Sequence, residues 1–108
     1  MINLDMMGEG NKTLNIFSQQ YSDITAKAQQ ANKNLYNLAM PVIPSGFGSD
    51  HASFVQAGIP AAMFLTGGEY DYPYHHKHYH YREWMINKEL WKQATDTVLL
   101  SLWYLAND

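Results

Sequence analysis

The sequence predicts an α/β fold in which a mostly parallel sheet is flanked by helices. Short apolar runs, closed by glycine, proline or polar turn residues, alternate along the chain with stretches of helical periodicity. Such alternation is typical of strands and helices packed in layers around one core. The chain has 108 residues, 46% of them hydrophobic, and contains no linker, repeat or low-complexity tract. We therefore expect a single domain over residues 1–108.

Four apolar runs supply the predicted strands. The first is "INLDMM", which ends at "GEGN", and the second is "TLNIFS". The segment "LAMPVIPSGFG" predicts a short strand leading into a loop, because its two prolines limit regular structure. The small-residue run "IPAAMFLTGG", closed by two glycines, predicts another buried strand.

Three segments predict helices. Residues 19–38 are polar and rich in alanine and glutamine, which indicates an amphipathic surface helix. Its apolar positions recur at three- and four-residue steps: Tyr21, Ile24, Ala28, Ala31 and Leu35. The stretch "SDHASFVQAG" predicts a short helix, which Ser49 or Asp50 can cap and which Gly58 ends. In "NKELWKQATDTVLLSLWYLAND" we expect a long helix capped by Asn87. Its expected apolar stripe is Leu90, Trp91, Ala94, Val98, Leu102 and Leu105.

Composition argues against several classes of function. The formal net charge is −3 and no basic stripe is present, so we expect no nucleic-acid partner. Without cysteine, the chain can form neither disulfides nor thiolate metal sites. No run approaches the roughly 18–20 apolar residues that cross a bilayer. The opening "MINLDMMGEG" lacks the basic and apolar regions of a signal peptide. We expect a soluble chain.

Asp5 is unusual because it is a carboxylate near the carboxyl end of an apolar strand. Burial there without a partner would be costly. One interpretation is a strand-end aspartate that caps a turn. The other is a metal ligand, since ligands of open parallel sheets gather beyond the carboxyl ends of the strands.

Two further segments are expected at the edge of the sheet that holds Asp5. Asp50 and His51 in "GSDH" follow a strand candidate, although on their own a helix cap and an exposed histidine explain them better. The segment "YDYPYHHKHYHYREW", residues 70–84, follows the "PAAMFL" strand. It contains four of the five histidines: His75, His76, His78 and His80.

The histidine segment allows two interpretations. Imidazole is the commonest nitrogen ligand of zinc, and histidine-rich tracts often bind metal. In an extended chain His76, His78 and His80 would share one face and could form a metal site unaided. The alternative, which we favour, is a solvated loop in which one histidine matters and the others are incidental.

Together these residues amount to half of a catalytic metal site. One zinc ion needs three or four protein ligands, and a two-metal site needs about five. Asp5 and one histidine supply two. Metal-assisted hydrolysis also requires a general base near the metal-bound water. None of the four glutamates stands out as that base: Glu9, Glu69, Glu83 and Glu89.

In combination, these motifs resemble the C-terminal part of the co-catalytic di-zinc peptidases. The match consists of "INLDMMG", then "GSDHASFVQAGIPAAMFLTGG", then a "YHH" segment and a long terminal helix, in order over nearly the whole chain. The family includes bacterial leucyl aminopeptidases, glutamate carboxypeptidase II and plasma glutamate carboxypeptidase. The resemblance implies the C-terminal portion of a zinc-exopeptidase fold, of the phosphorylase/hydrolase-like type.

The resemblance also implies roles for particular residues. The aspartate of "NLDM", here Asp5, binds one zinc ion in that family, and a histidine of the late loop binds the other. Where relatives carry a histidine doublet, the second member is the ligand, which indicates His76, with His75 as the alternative. The family usually has an aspartate four residues after the ligand, and here His80 stands in that position. This departure leaves the support of the ligating histidine without a counterpart in the sequence.

The family's "SDH" motif lies beside the substrate pocket, which implies that Asp50 and His51 adjoin the pocket. We expect Tyr72 and Tyr74 of "GGEYDYPY" to help select the N-terminal residue of the substrate. In members of the family, the N-terminal half of the chain supplies an "HxD" histidine, a bridging aspartate and a paired-glutamate motif that includes the general base. This chain contains neither "HxD" nor "EE". The N-terminal half is therefore expected to be absent, and no catalytic residue is assigned to this chain.

The function implied is that of a C-terminal fragment of a zinc-dependent exopeptidase. The complete enzyme would be an aminopeptidase that hydrolyses N-terminal residues from peptides with a water activated by two zinc ions. The isolated chain is expected to be inactive, and its open strand edges to associate with the N-terminal portion or with another copy. The alternative is a non-enzymatic module that binds metal or a partner through residues 75–80. Because the family is often exported, a periplasmic or secreted parent protein is an expectation.

Overall fold

The computed structural model describes residues 1–8, 13–18, 22–44, 48–66 and 86–107 of the chain. The strands in these ranges are β1 (Ile2–Asp5), β2 (Asn15–Phe17), β3 (Val42–Ile43) and β4 (Ala62–Leu65). The helices are α1 (Ser22–Leu35), α2 (His51–Gln56) and α3 (Lys88–Ala106). Each strand and helix expected from the sequence is therefore present.

The strands form one sheet in the order β1-β4-β2-β3. β1 runs parallel to β4 with Asp5 opposite Leu65, and β2 runs parallel to β3. β2 is antiparallel to β4, with Ile16 opposite Phe64. The α/β class is confirmed, and most strand pairings are parallel. The sheet is nevertheless mixed, because β2 and β3 run opposite to β1 and β4.

The main core lies between one face of the sheet and the layer formed by α1 and α3. Ile16 and Phe64 are completely buried in it, and the helices contribute Ile24, Ala28, Ala94 and Val98. The other face of the sheet carries a smaller apolar cluster built on Phe17, Met63 and Leu65. β4 is buried along its whole length. This explains why its sequence is a continuous apolar run without alternation.

Helix α1 buries the face that its periodicity predicts, except at its end. Ile24, Ala28 and Ala31 are buried, whereas Leu35 is nearly half exposed. Tyr21 lies outside the described residues.

Helix α3 buries a different face from the apolar stripe that was expected. Of that stripe only Ala94 and Val98 are buried, while Trp91 and Leu102 are about half exposed. The other residues that α3 buries are polar: Gln93, Thr97 and Ser101. Gln93 is accommodated because its amide nitrogen donates a hydrogen bond to Oδ1 of Asn32 at 2.8 Å. Within the described ranges, no helix is long and apolar enough to span a membrane.

The expected helix ends are partly correct. Asn87 caps α3, since its side chain accepts a hydrogen bond from the Leu90 backbone at 3.2 Å. Gly58 follows α2 in the left-handed conformation with φ +78°, as expected of a residue that ends a helix. The predicted side-chain cap of α2 is wrong. Asp50 occupies the N-cap position without a capping hydrogen bond, and the Ser49 hydroxyl is engaged elsewhere.

Replacing Phe64 by alanine should lower the free energy of unfolding by about 3–5 kcal/mol, because it leaves a cavity in the middle of the core. Urea unfolding measures the change. The control is Leu99→Ala, since Leu99 is 68% exposed on α3 and its loss should cost less than about 0.5 kcal/mol. Equal losses from the two variants would contradict this position of the core.

Candidate metal centre at the carboxyl end of strand β1

Asp5 is the last residue of β1 and is half-buried. Its partner across the parallel ladder is Leu65, the last residue of β4. The carboxyl ends of the two strands therefore meet at one edge of the sheet, where ligands of parallel strands collect. Asn3 lies two residues before Asp5 and so projects from the same face of the strand.

A short relay of hydrogen bonds orients the Asp5 carboxylate. Ser49 donates its hydroxyl proton to Oδ2 of Asp5 at 2.6 Å. The Ser49 oxygen in turn accepts a hydrogen bond from the Asn3 amide nitrogen at 2.8 Å. Hydrogen bonds to a charged acceptor are stronger than those between neutral groups. The relay therefore restrains one of the two oxygens of the Asp5 carboxylate.

The "SDH" turn reaches Asp5 by a different route from the one predicted. β3 runs opposite to β1, so its carboxyl end points toward the far edge of the sheet. The sequence predicted that the turn opens beside Asp5 because it follows a strand. That reason is wrong, since the strand before the turn runs opposite to β1. The turn does lie beside Asp5, as the Ser49 hydrogen bond shows.

His51 begins helix α2 and is only 5% exposed, which rules out the exposed histidine considered from the sequence. Its Nδ1 atom is buried and has no hydrogen-bond partner among the described residues. Burial lowers the pKa of His51, and the negative charges of Asp5 and Asp50 oppose that shift with smaller effects. A neutral imidazole therefore lies within electrostatic range of the Asp5 carboxylate. Asp50 itself is exposed.

The backbone directly after Asp5 forms an unusual turn. Met6 has φ +54°, a left-handed conformation that costs a residue with a side chain about 1–2 kcal/mol. Gly8 has φ +83°, and a Cβ atom there would approach Ile86 Cγ2 to 2.7 Å. The hydroxyl of Thr66 bonds to both sides of this turn, accepting from the Gly8 backbone nitrogen and donating to the Met6 carbonyl, each at 2.7 Å.

Sequence reasoning missed both hydroxyl residues at this edge. The sequence predicts Ser49 or Asp50 as a helix cap, and it includes Thr66 in the apolar run "IPAAMFLTGG" without a role of its own. The available signal for Thr66 was its position, since it is the first polar residue after "AAMFL", as Asp5 is after "INL". For Ser49 the sequence offers no comparable signal, because serine before a helix is common.

The remaining predicted site residues lie outside the described residues: Tyr72, Tyr74, His75, His76, His78 and His80. Among the residues that the structure describes, no group of three or more histidine, aspartate or glutamate side chains could hold a metal ion. Asp5 nevertheless suits zinc, which takes carboxylate oxygens as ligands and whose ligands are usually hydrogen-bonded by an outer shell. The hydrogen bonds from Ser49 to Asp5 and from Asn3 to Ser49 are of the kind that such an outer shell makes.

Sequence and structure comparisons agree on the class of protein that this fold and site define. The profile of Peptidase family M28 matches residues 1–102, and the chain belongs to that family. A comparison with curated protein sequences finds no significant match.

Among solved structures, the chain is similar to BSAP, a zinc aminopeptidase from Bacillus subtilis, with a TM-score of 0.75 and 27% identity over 96% of this chain and 27% of that one. The aminopeptidase from Aneurinibacillus sp. strain AM-1 gives a TM-score of 0.71 and 27% identity, over 95% of this chain and 24% of that one. Legionella pneumophila LapA aminopeptidase shares the fold, with a TM-score of 0.81 and 23% identity over 99% of this chain and 31% of that one. The chain thus spans about a quarter to a third of the length of these structures.

In the metal-free chain, His51 should titrate below the ordinary histidine value of about 6.5. Its folded pKa is lower than its unfolded pKa, so the unfolded state binds the proton first as the pH falls. The stability contributed by the neutral imidazole is therefore present above about pH 6.5 and is lost as the pH falls through the folded pKa.

Nuclear magnetic resonance titration of the His51 ring gives its pKa, and urea unfolding at a series of pH values gives the stability. His51→Gln should remove this part of the pH dependence. A His51 pKa above 6.5 would contradict the electrostatic description of the site.

Proposed function

We propose that this chain supplies part of the two-zinc centre of an exopeptidase and that Asp5 binds one of the two zinc ions. The observation that carries the proposal is the 2.6 Å hydrogen bond from Ser49 to Oδ2 of Asp5, with Asn3 behind it. Such a bond orients a carboxylate as outer-shell partners orient metal ligands. Membership of a peptidase family and similarity to zinc aminopeptidases support the choice of metal and reaction. His76 would bind the other zinc ion, with His75 as the alternative.

A pair of zinc ions supplies a polarised substrate carbonyl and a water of lowered pKa. The residues of this chain hold and surround that centre. Asp5 contributes negative charge and a carboxylate oxygen, and the hydrogen bond from Ser49 to Oδ2 orients that carboxylate. Asp50 and His51 would form part of the pocket wall with Tyr72 and Tyr74. The substrate would be a peptide cleaved after its N-terminal residue.

The other zinc ligands and the general base would come from polypeptide beyond these 108 residues. Asp5 and His76 provide two of about five ligands that a two-metal site requires. β1 is an edge strand of the sheet within the described ranges, and its Leu4 is about half exposed. An open strand edge pairs readily with another chain segment. We propose that an N-terminal portion of the enzyme pairs with this chain, and that self-association replaces this contact when that portion is missing.

Replacing Asp5 by asparagine should weaken zinc binding by at least about 100-fold, because a direct ligand is worth more than the 10–100-fold typical of an outer-shell partner. Zinc titration against a chromophoric chelator measures the affinity. Asp50→Asn is the matched control, since Asp50 is exposed and makes no capping hydrogen bond. If Asp5→Asn binds zinc normally while His78→Ala and His80→Ala abolish binding, the histidine segment is a self-contained metal site and the peptidase assignment of Asp5 is wrong.

The isolated chain should not hydrolyse an aminoacyl p-nitroanilide, because the general base is not on it. Adding a polypeptide that carries the missing ligands and base should produce activity that a chelator abolishes. The same mixture made with the Asp5→Asn chain should remain inactive. Chelator-sensitive hydrolysis by the isolated chain would show that the base lies within these 108 residues.

A further inference from the structure

We propose that Thr66 is a positioning residue for Asp5, acting through the turn at residues 6–8. The inference rests on the proposed role of Asp5 as a zinc ligand and adds a second means by which the fold fixes that ligand. Ser49 restrains the carboxylate of Asp5 directly. Thr66 restrains the backbone of residues 6–8, which directly follows Asp5.

Thr66 cross-links the ends of two strands. It follows Leu65, which lies opposite Asp5 in the parallel ladder, so Thr66 comes one residue past the end of the paired segment. Its side chain is completely buried. The hydroxyl accepts a hydrogen bond from the Gly8 nitrogen and donates one to the Met6 oxygen, both at 2.7 Å. One side-chain oxygen thereby satisfies two backbone groups of the chain that leaves β1.

The turn needs this support because its conformation is unfavourable. Met6 is a non-glycine residue at φ +54°, a conformation that persists only where the surroundings enforce it. Gly8 is buried and has no room for a Cβ atom, because Ile86 Cγ2 would be 2.7 Å away. On its far side the Gly8 carbonyl accepts a hydrogen bond from the Asn87 nitrogen at 2.7 Å. Thr66 and the start of α3 therefore hold the turn through separate hydrogen bonds.

The turn acts on Asp5 because Asp5 immediately precedes Met6. The direction of the Asp5 side chain depends on the peptide plane that joins these two residues. Because the start of α3 holds Gly8 on the downstream side, a change in φ of Met6 has to be taken up by the Asp5–Met6 peptide, which would move Asp5 relative to Ser49. A zinc ligand tolerates little displacement, since distances to the metal vary by only about 0.2 Å among real sites.

The hydroxyl group, and not the shape of the side chain, is what the position requires. Valine has nearly the shape of threonine but would leave the partly buried Met6 carbonyl and the buried Gly8 amide without this partner. Serine keeps the hydroxyl and loses only a methyl group. A pair of variants, Thr66→Val and Thr66→Ser, therefore separates the hydrogen bonds from the packing.

Two measurements on the 108-residue chain test the inference. In the metal-free chain, hydrogen exchange of the Gly8 amide reports whether the turn is held. Zinc titration followed by the ¹³C resonance of the Asp5 carboxyl group reports weak as well as tight binding. Thr66→Val should speed Gly8 exchange by at least about 10-fold and weaken zinc binding by about 10–100-fold, as expected for an outer-shell partner. Thr66→Ser should stay within about twofold of the unsubstituted chain in both measurements, because it keeps the hydroxyl bonds.

Val98→Ala is the control for a general loss of stability, because Val98 lies in the main core on α3. It should leave zinc binding unchanged. If Thr66→Val fails to fold, Thr66→Ala replaces it in the comparison with serine. Normal zinc binding by the variant that lacks the hydroxyl, together with loss of binding in Asp5→Asn, would overturn the role of Thr66 and leave the proposed function intact. Normal binding by Asp5→Asn would overturn both.

Discussion

The parallel pairing of β1 with β4 is the constraint on which the rest of the structure depends. It sets Asp5 opposite Leu65 and brings together Met6 and Thr66, which are 60 positions apart in the sequence. Parallel neighbours require a long crossover, and here that crossover contains β2, α1, β3 and α2. Because both strands end at one edge, the same ladder that builds the core also fixes the backbone on either side of the candidate ligand.

The kinds and order of the elements could be predicted because they depend on local patterns. The direction of β2 was not predicted, although the sequence contains a relevant signal. Residues 6–14 connect β1 to β2, and this segment is shorter than the dozen or more residues that a parallel crossover needs. A connection this short favours a strand that runs back against β1, as β2 does, and β3 follows β2 in direction. The direction of β3 therefore does not account for the position of the "SDH" turn beside Asp5.

The contacts that complete the site were less accessible to prediction, for a physical reason. Asp5 stood out because a carboxylate in an apolar strand requires an explanation from tertiary structure. Hydroxyls do not stand out, since Ser49 and Thr66 occur where capping and strand ends ordinarily place such residues. The buried face of α3 presented the same difficulty. Gln93 is acceptable inside only because Asn32, 61 positions away, accepts its hydrogen bond, and apolar periodicity cannot anticipate that partner.

The hydrogen bonds that hold the candidate ligand Asp5 lie within the described chain. The other ligands of the proposed zinc centre do not. Asp5 receives a hydrogen bond on its carboxylate from one segment, and the turn that follows it is held by two others. Supporting shells of this kind are useful only where the position of the carboxylate matters, since a solvent-exposed strand-end aspartate needs neither restraint. Yet β1 is the outermost strand of the described sheet, and its residue Leu4 is about half exposed. A polypeptide that pairs along β1 would cover that edge and bring its own ligands to the end of the strand. The candidate ligand would then lie in the interior of a wider sheet, at the carboxyl ends of β1 and β4, where open α/β folds bind their ligands.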